Sequence, residues 1–187
     1  MQSQVTDEIL VARIQKGDIS AFRMLVVRYQ NLVFTMALRI VGSREDAEEV
    51  AQDVFMKVYA NLASFEGKSK LSSWIYRIAH NSALTKIRNH RPDISSLDNE
   101  KVSTVVGNMK GTAVYNTAEQ TFRAEDVSKA ISMLEPEDAT IITLFYLSEQ
   151  SIDEIGQILH IESNAAKVRL HRARKKLREK METNELI

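Results

Sequence analysis

Eight of the seventeen residues in NAAKVRLHRARKKLREK (164–180) are Lys or Arg, with His171 besides, although the chain balances at 25 basic against 25 acidic residues. Such a density of cations suits a polyanion, and the charges on the rest of the chain must be sorted to offset it. The counts bear this out. Residues 1–92 carry 13 basic and 9 acidic side chains, 93–121 carry 2 and 4, 122–166 carry 2 and 9, and 167–187 carry 8 and 3. A second anion-binding stretch lies earlier. Between Lys68 and Arg91 there is no Asp or Glu, but Lys70, Arg77, Lys86 and Arg88 are interleaved with Trp74 and Tyr76, and His80 and Asn81 stand nearby. Cations, rings and amides together suit a single-stranded nucleic acid, whose splayed bases stack on aromatic faces.

A third cluster has the opposite sign. On a helix over 45–56, Glu45, Glu49, Gln52 and Met56 share one face opposite Ala47, Val50 and Val54, with Glu48 and Asp53 alongside. Acids in a first turn favour the helix dipole, which accounts for Glu45 and Asp46. It leaves Asp53 and an exposed Met56 unexplained, and a basic protein surface as partner fits them better. Other chemistries lack their residues. There is no Cys, so thiol chemistry and a disulfide framework are excluded and a reducing compartment fits. The four His form no H-E-x-x-H pattern, and no Gly-rich phosphate loop is present. No metal or cofactor is expected. MQSQVTDEIL lacks the form of a secretory signal, and no run of about 18 apolar residues is visible, which predicts a cytoplasmic protein without membrane insertion.

The elements that must position these groups are helical. Ile9, Leu10 and Ile14 recur at helical spacing up to Gly17. Asp18 can cap the next helix, whose stripe runs Phe22, Leu25, Val26, Tyr29, Leu32, Val33, Met36, Ala37 and Ile40, with Gly42 as its C-cap. Ser43 and Asp46 open a third helix in a variant of the capping box, and a fourth runs from about Ser72 to His90, ended by Arg91-Pro92. Residues 93–121, rich in Ser, Thr, Asn and Gly without a sustained period, predict a linker. Val127, Ala130, Ile131 and Leu134 resume the helical pattern, followed by a first-turn Pro136 ahead of Ile141, Ile142, Phe145 and Tyr146. The fold class is therefore all-α: two small helical domains, 1–92 and 122–187, joined by a flexible linker.

Ser151 and Glu154, three apart, form a capping box that opens the short helix IDEIGQILH. His160-Ile161-Glu162 then turns into the basic helix, where Ala166, Leu170, Ala173, Leu177 and Met181 make one buried stripe. Asn164, Val168, His171, Arg172 and Lys175 face away from it, flanked by Lys167, Arg169, Arg174, Lys176 and Arg178. This is a helix-turn-helix, in which the second helix enters the major groove and the flanking cations hold phosphates.

In this order the stretches resemble the extracytoplasmic-function sigma factors of bacterial RNA polymerase. DAEEVAQDVF (46–55) looks like that family's core-polymerase-binding helix. SFEGKSKLSSWIYRIAHNSALTKIRNHRP (64–92) looks like its promoter-melting and −10-reading segment, and SIDEIGQIL…AAKVRLHRARKKL (151–177) like its −35-reading helix-turn-helix. The resemblance implies that Glu45, Asp46, Glu48, Glu49, Gln52, Asp53 and Met56 dock on the polymerase. It implies that Phe65, Gly67, Lys68, Ser69, Lys70, Trp74, Arg77, His80, Asn81, Lys86 and Arg88 act at the melted −10 element. Asn164, Lys167, Val168, Arg169, His171, Arg172, Arg174, Lys175 and Lys176 would act at the duplex −35 element. The implied partners are the RNA polymerase core enzyme, promoter DNA and an anti-sigma factor. Asn164-Ala165-Ala166 replaces the Gly-Thr-Val common in the family, which bears on the promoter sequence. A helix-turn-helix regulator acting without polymerase remains an alternative that binds promoters alone, and a helical metal-dependent hydrolase is a further one.

Overall fold

The computed structural model describes residues 5–90 and 124–183. The expected linker 93–121 lies outside them. The described residues form eight α-helices and no strands. Helices α1 (Asp7–Gln15), α2 (Ile19–Val41), α3 (Arg44–Asn61) and α4 (Leu71–His90) form a first unit, with a 3-10 turn at Leu62–Ser64. Helices α5 (Ala124–Ser132), α6 (Pro136–Ile142), α7 (Ile152–Leu159) and α8 (Ser163–Thr183) form a second, with a π-helical segment at Thr143–Leu147.

Local sequence sets the helix ends. The Asp18 carboxylate accepts from the Ser20 and Ala21 N–H groups, satisfying donors left over at the start of α2. The Ser20 hydroxyl, which donates to the same carboxylate, and the Arg13 guanidinium beside it, with the Ala21 N–H, hold Asp18 well below the usual carboxylate range. Gly42 ends α2 at φ 76°, a left-handed conformation that a side chain would strain. Ser43 accepts from the Asp46 N–H to open α3.

Leu25, Tyr29, Val33, Met36, Ala37 and Ile40 of α2 are buried with Ala47, Val50, Val54 and Val58 of α3 and with Leu71, Ile75, Tyr76, Ala79 and Ala83 of α4. Each large aliphatic side chain removed from water contributes roughly 1.5–3 kcal/mol before ordering costs. By length and composition α2 is apolar enough to cross a membrane, contrary to the sequence expectation. Arg23, Arg28 and Arg39 interrupt it, however, and this core accounts for its apolar stripe.

Two stripe assignments shift. Ile9 is 50% exposed, and Leu10, Val11 and Ile14 supply the buried face of α1 instead. Tyr146 is 49% exposed, because the wider π-helical turn breaks the 3.6-residue register and directs Tyr146 and Leu147 outward.

The two units touch. Helix α7 packs on α4, and α6 packs on α2. The Ser73 hydroxyl donates to the Gln150 amide oxygen at 2.6 Å, and both residues are buried. Arg39 of α2 donates to the Ala139 carbonyl at 3.2 Å and to the Thr143 hydroxyl. Burial lowers the Arg39 pKa to about 10, which leaves it charged at neutral pH.

Candidate nucleic-acid interface

The helix-turn-helix is built by short-range chemistry. Ser151 accepts from the Glu154 N–H at 3.3 Å, and Glu154 accepts from the Ser151 N–H at 2.8 Å, so the capping box is complete. The turn needs a bare backbone on α7. A Cβ on Gly156 would meet the Ile161 carbonyl oxygen at 2.8 Å, a contact with main chain that cannot swing aside. The Ile161 N–H bonds the Gly156 carbonyl at 3.0 Å, and His160 takes the left-handed C-cap at φ 55°.

This turn aims α8. Ala166, Leu170 and Ala173 are buried, Leu177 and Met181 half-buried. Asn164, Lys167, Val168, His171, Arg172 and Lys175 lie exposed, and Val168 stands 50% open. Asn164, Val168, Arg169, Arg172 and Lys176 line an open groove that ends at Asp138.

Several cations of α8 are already engaged. Arg169 pairs with Glu137 at 3.1 Å, and Lys176 pairs with Asp138 of α6, which raises the lysine pKa. Lys175 faces Glu179 at 3.9 Å. The Arg174 guanidinium lies 4.8 Å from the Phe145 ring centroid and 5.3 Å from that of Tyr146, so it is braced by cation–π contact. Acids in sequence block 122–166 thus return to the basic helix in space.

The segment 65–88 is arranged differently. Gly67 turns the loop at φ 71°. Phe65 packs on Trp74 with ring centroids 5.2 Å apart, leaving both half-buried. Lys68 pairs with Glu66. Lys70 pairs with Glu154 of α7 at 3.0 Å. Ser69, Arg77 and His80 are half-buried, whereas Asn81 and Arg88 are exposed. Burial and nearby His160 push the His80 pKa down, and its Nδ1 is buried without a hydrogen-bond partner. Lys86 is only 16% exposed, held between Glu49 and Asp46 of α3, the latter at 3.3 Å, and its pKa rises. It ties two helices together rather than standing free.

On α3, Glu45, Glu48, Glu49, Gln52 and Met56 are exposed, with Asp46 and Asp53 half-buried. Sequence reasoning missed what lies beside them. Phe22 and Val26 of α2 join Phe55, Met56 and Tyr59 of α3 in an open apolar groove, in which Met56 is 65% and Tyr59 51% exposed. The signal was present in the α2 stripe, which is too broad for one buried face.

Residues 25–92 match the model of Sigma-70 region 2, and residues 124–177 match that of Sigma-70, region 4. The chain is 32% identical over 177 residues to the ECF RNA polymerase sigma factor SigW of Bacillus subtilis (strain 168), covering 91% of this chain and 94% of the relative. It is 35% identical over 189 residues to the ECF RNA polymerase sigma-E factor of Escherichia coli (strain K12), covering 97% of each. This chain belongs to the extracytoplasmic-function RNA polymerase sigma factors. As an alternative sigma factor it binds the polymerase core enzyme and promoter DNA and directs transcription initiation. Among solved structures its fold is similar to CnrH in complex with the cytosolic domain of CnrY, at a TM-score of 0.64 and 22% identity, covering 95% of this chain and 97% of that one. It is also similar to the sigma factor RpoE in complex with the anti-sigma factor NepR from Bartonella quintana, at a TM-score of 0.62 and 22% identity, covering 86% and 96%.

Proposed function

We propose that the sigma factor divides its work by unit: residues 1–92 bind core polymerase and the melted −10 element, and 122–187 bind the duplex −35 element. The observation that carries this reading is α8, whose buried stripe of Ala166, Leu170 and Ala173 directs Asn164, Lys167, Val168, His171 and Arg172 outward together. Side chains near the start of such a helix reach base edges, while Arg169, Arg174, Lys175 and Lys176 at its flanks and end serve phosphates. On α4 and the loop before it, Phe65, Trp74, His80 and Asn81 offer rings and polar groups to unpaired bases. Gly67 and Ser69 shape that loop, and Lys68, Lys70, Arg77 and Arg88 supply charge.

The polymerase meets α3 through Glu45, Glu48, Glu49, Gln52, Asp53 and Met56, with the groove of Phe22, Val26, Phe55 and Tyr59 as an apolar centre inside an acidic rim. Asp46 acts through Lys86. The protein is not itself an enzyme, since RNA synthesis belongs to the polymerase, and it works in the cytoplasm, where its partners are. An anti-sigma factor is a further partner. Support comes from the neighbouring folds, which are those of CnrH held by the cytosolic domain of CnrY and RpoE held by the anti-sigma factor NepR.

The test is reconstitution. Purified core enzyme should gain run-off transcription from a cognate promoter only when this chain is added. The Met56→Glu variant should lose core affinity while keeping the circular dichroism of the parent. Promoter binding of equal strength with and without core would instead favour the stand-alone regulator.

A further inference from the structure

The chain has seven Met and no Cys, so every sulfur atom in it is a thioether. The fold sorts the described ones by access. Met36 is 1% exposed in the core of the first unit, Met133 and Met181 are half-buried, Met24 is 42% exposed and Met56 65%. The two open sulfurs differ in their surroundings. Met24 lies outside the groove between α2 and α3, whereas Met56 lines it with Phe22, Val26, Gln52, Phe55 and Tyr59. Phe22 and Tyr59 meet edge to face with ring centroids 4.8 Å apart, which gives the groove a preformed aromatic wall. The most accessible described sulfur therefore stands in the apolar centre assigned above to polymerase contact.

Apolar filling alone does not require sulfur at this position, because Leu has a similar volume. A thioether adds reversible chemistry, since oxidation to the sulfoxide turns an apolar side chain into a polar one. The sulfoxide is cheap to carry while the groove is open to water. Once a partner covers the groove, the polar S–O group loses that water among the rings of Phe22, Phe55 and Tyr59, and desolvation opposes docking.

We propose that Met56 is a reversible oxidation site: hydroperoxides convert it to the sulfoxide in the free sigma factor, and the sulfoxide weakens docking of the groove on core polymerase. This inference rests on the docking role given to Met56 above. In the step, a lone pair on the sulfur attacks one peroxide oxygen. The S–O bond forms as the O–O bond breaks, and with hydrogen peroxide the second oxygen leaves with both protons as water. Sulfur loses two electrons and the peroxide gains them. Methionine sulfoxide reductases reverse the change at the expense of two thiols, which leave as a disulfide with one water. Bound polymerase covers the sulfur, so oxidation acts on free sigma factor and spares assembled holoenzyme.

The test uses the full chain and purified core enzyme. After hydrogen peroxide, peptide mass spectrometry should find one added oxygen on Met56 before Met24 and well before Met36. Core enzyme added first should suppress the gain at Met56 and leave that at Met24. The oxidised parent should bind core about tenfold more weakly than the untreated parent, with unchanged circular dichroism. The two methionine sulfoxide reductases, one per epimer, should restore its affinity. M56L, whatever its own starting affinity, should bind core equally before and after the treatment, which assigns the loss to Met56 and not to the other methionines. An equal oxidative loss in M56L, or oxidation of Met36 as fast as Met56, would overturn the inference. If M56E loses core affinity while the Met56 sulfoxide keeps it, the inference falls and the docking reading stands. If core leaves Met56 unprotected and M56E binds core as the parent does, the docking reading fails, and this inference with it.

Discussion

Helix α8 and the segment 65–88 carry similar cations in the sequence and meet different fates in the fold. On α8 the outward residues Lys167, His171 and Arg172 are exposed, and the engaged cations Arg169 and Lys176 pair within the second unit, with Glu137 and Asp138. On 65–88 Lys68 pairs with Glu66 of its own loop, but the other partners come from elsewhere: Glu154 from the second unit for Lys70, and Asp46 and Glu49 from α3 for Lys86. One surface is presented, the other is held. An acid-free run in sequence is therefore not an acid-free surface, because tertiary contacts place carboxylates beside it.

The changes that test this contrast differ in size. The largest effect should come from Leu170→Ala, which removes a buried side chain beneath the presented face. The cost should be about 2–5 kcal/mol from lost burial and a cavity, read as a lower denaturation midpoint together with lost duplex binding. Gly156→Ala should follow at about 1–3 kcal/mol, because the new Cβ meets backbone at the turn that aims α8. A midpoint equal to the parent's would mean that the turn adjusts and does not fix the helix.

Arg172→Ala should cost about 1–3 kcal/mol on a cognate −35 element and flatten the preference at one base position. Lys176→Ala should weaken all duplexes alike and reduce the salt slope by about one unit or less. Asp138 already neutralises this lysine in the free protein, so Asp138→Asn should strengthen non-specific duplex binding. Titrations at several salt concentrations separate these outcomes, and equal, sequence-independent losses for Arg172→Ala and Lys176→Ala would remove the distinction drawn along α8.

The smallest effect is on the held side. His80 faces His160, Arg169 and Glu137 from the second unit and Asn81 on its own helix. Its pKa is lowered from 6.5 by burial first, so the unfolded chain takes up the proton before the folded one. Stability is full above about 6.5 and falls as pH drops from there towards the lowered folded value, below which the loss is complete. Melting the full chain at pH about 7.5 and about 5.5 should show an acid loss that His80→Gln reduces. An undiminished loss in that variant would exonerate His80.

How much was legible follows the range of each interaction. The caps at Asp18, Gly42, Ser43 and Ser151 were legible because each is a bond within a few residues. The α8 stripe was legible because burial follows the helical period. The pairing of Lys86 was not legible because its partners lie 37 and 40 residues earlier in the chain, on α3. Arg39 with Thr143 and Ser73 with Gln150 carry no local signal at all, and neither does the π-helical turn that exposes Tyr146. The groove beside Met56 was half legible: α2 carried a surplus of apolar residues, but which of them stay open depends on how α3 crosses it.

The most direct test of the division between the two surfaces is promoter opening by reconstituted polymerase, followed by permanganate reactivity of unpaired thymines on two templates. One is fully duplex, and the other is pre-melted across the −10 element. Asn81→Ala should slow opening of the duplex by about tenfold, in the range of about 1–3 kcal/mol for a lost base contact, and recover substantially on the pre-melted template. Arg172→Ala should lose a similar factor on both templates, because the −35 element is duplex in each. If both variants recover equally on the pre-melted template, or neither recovers, the assignment of α4 to strand and α8 to duplex is contradicted.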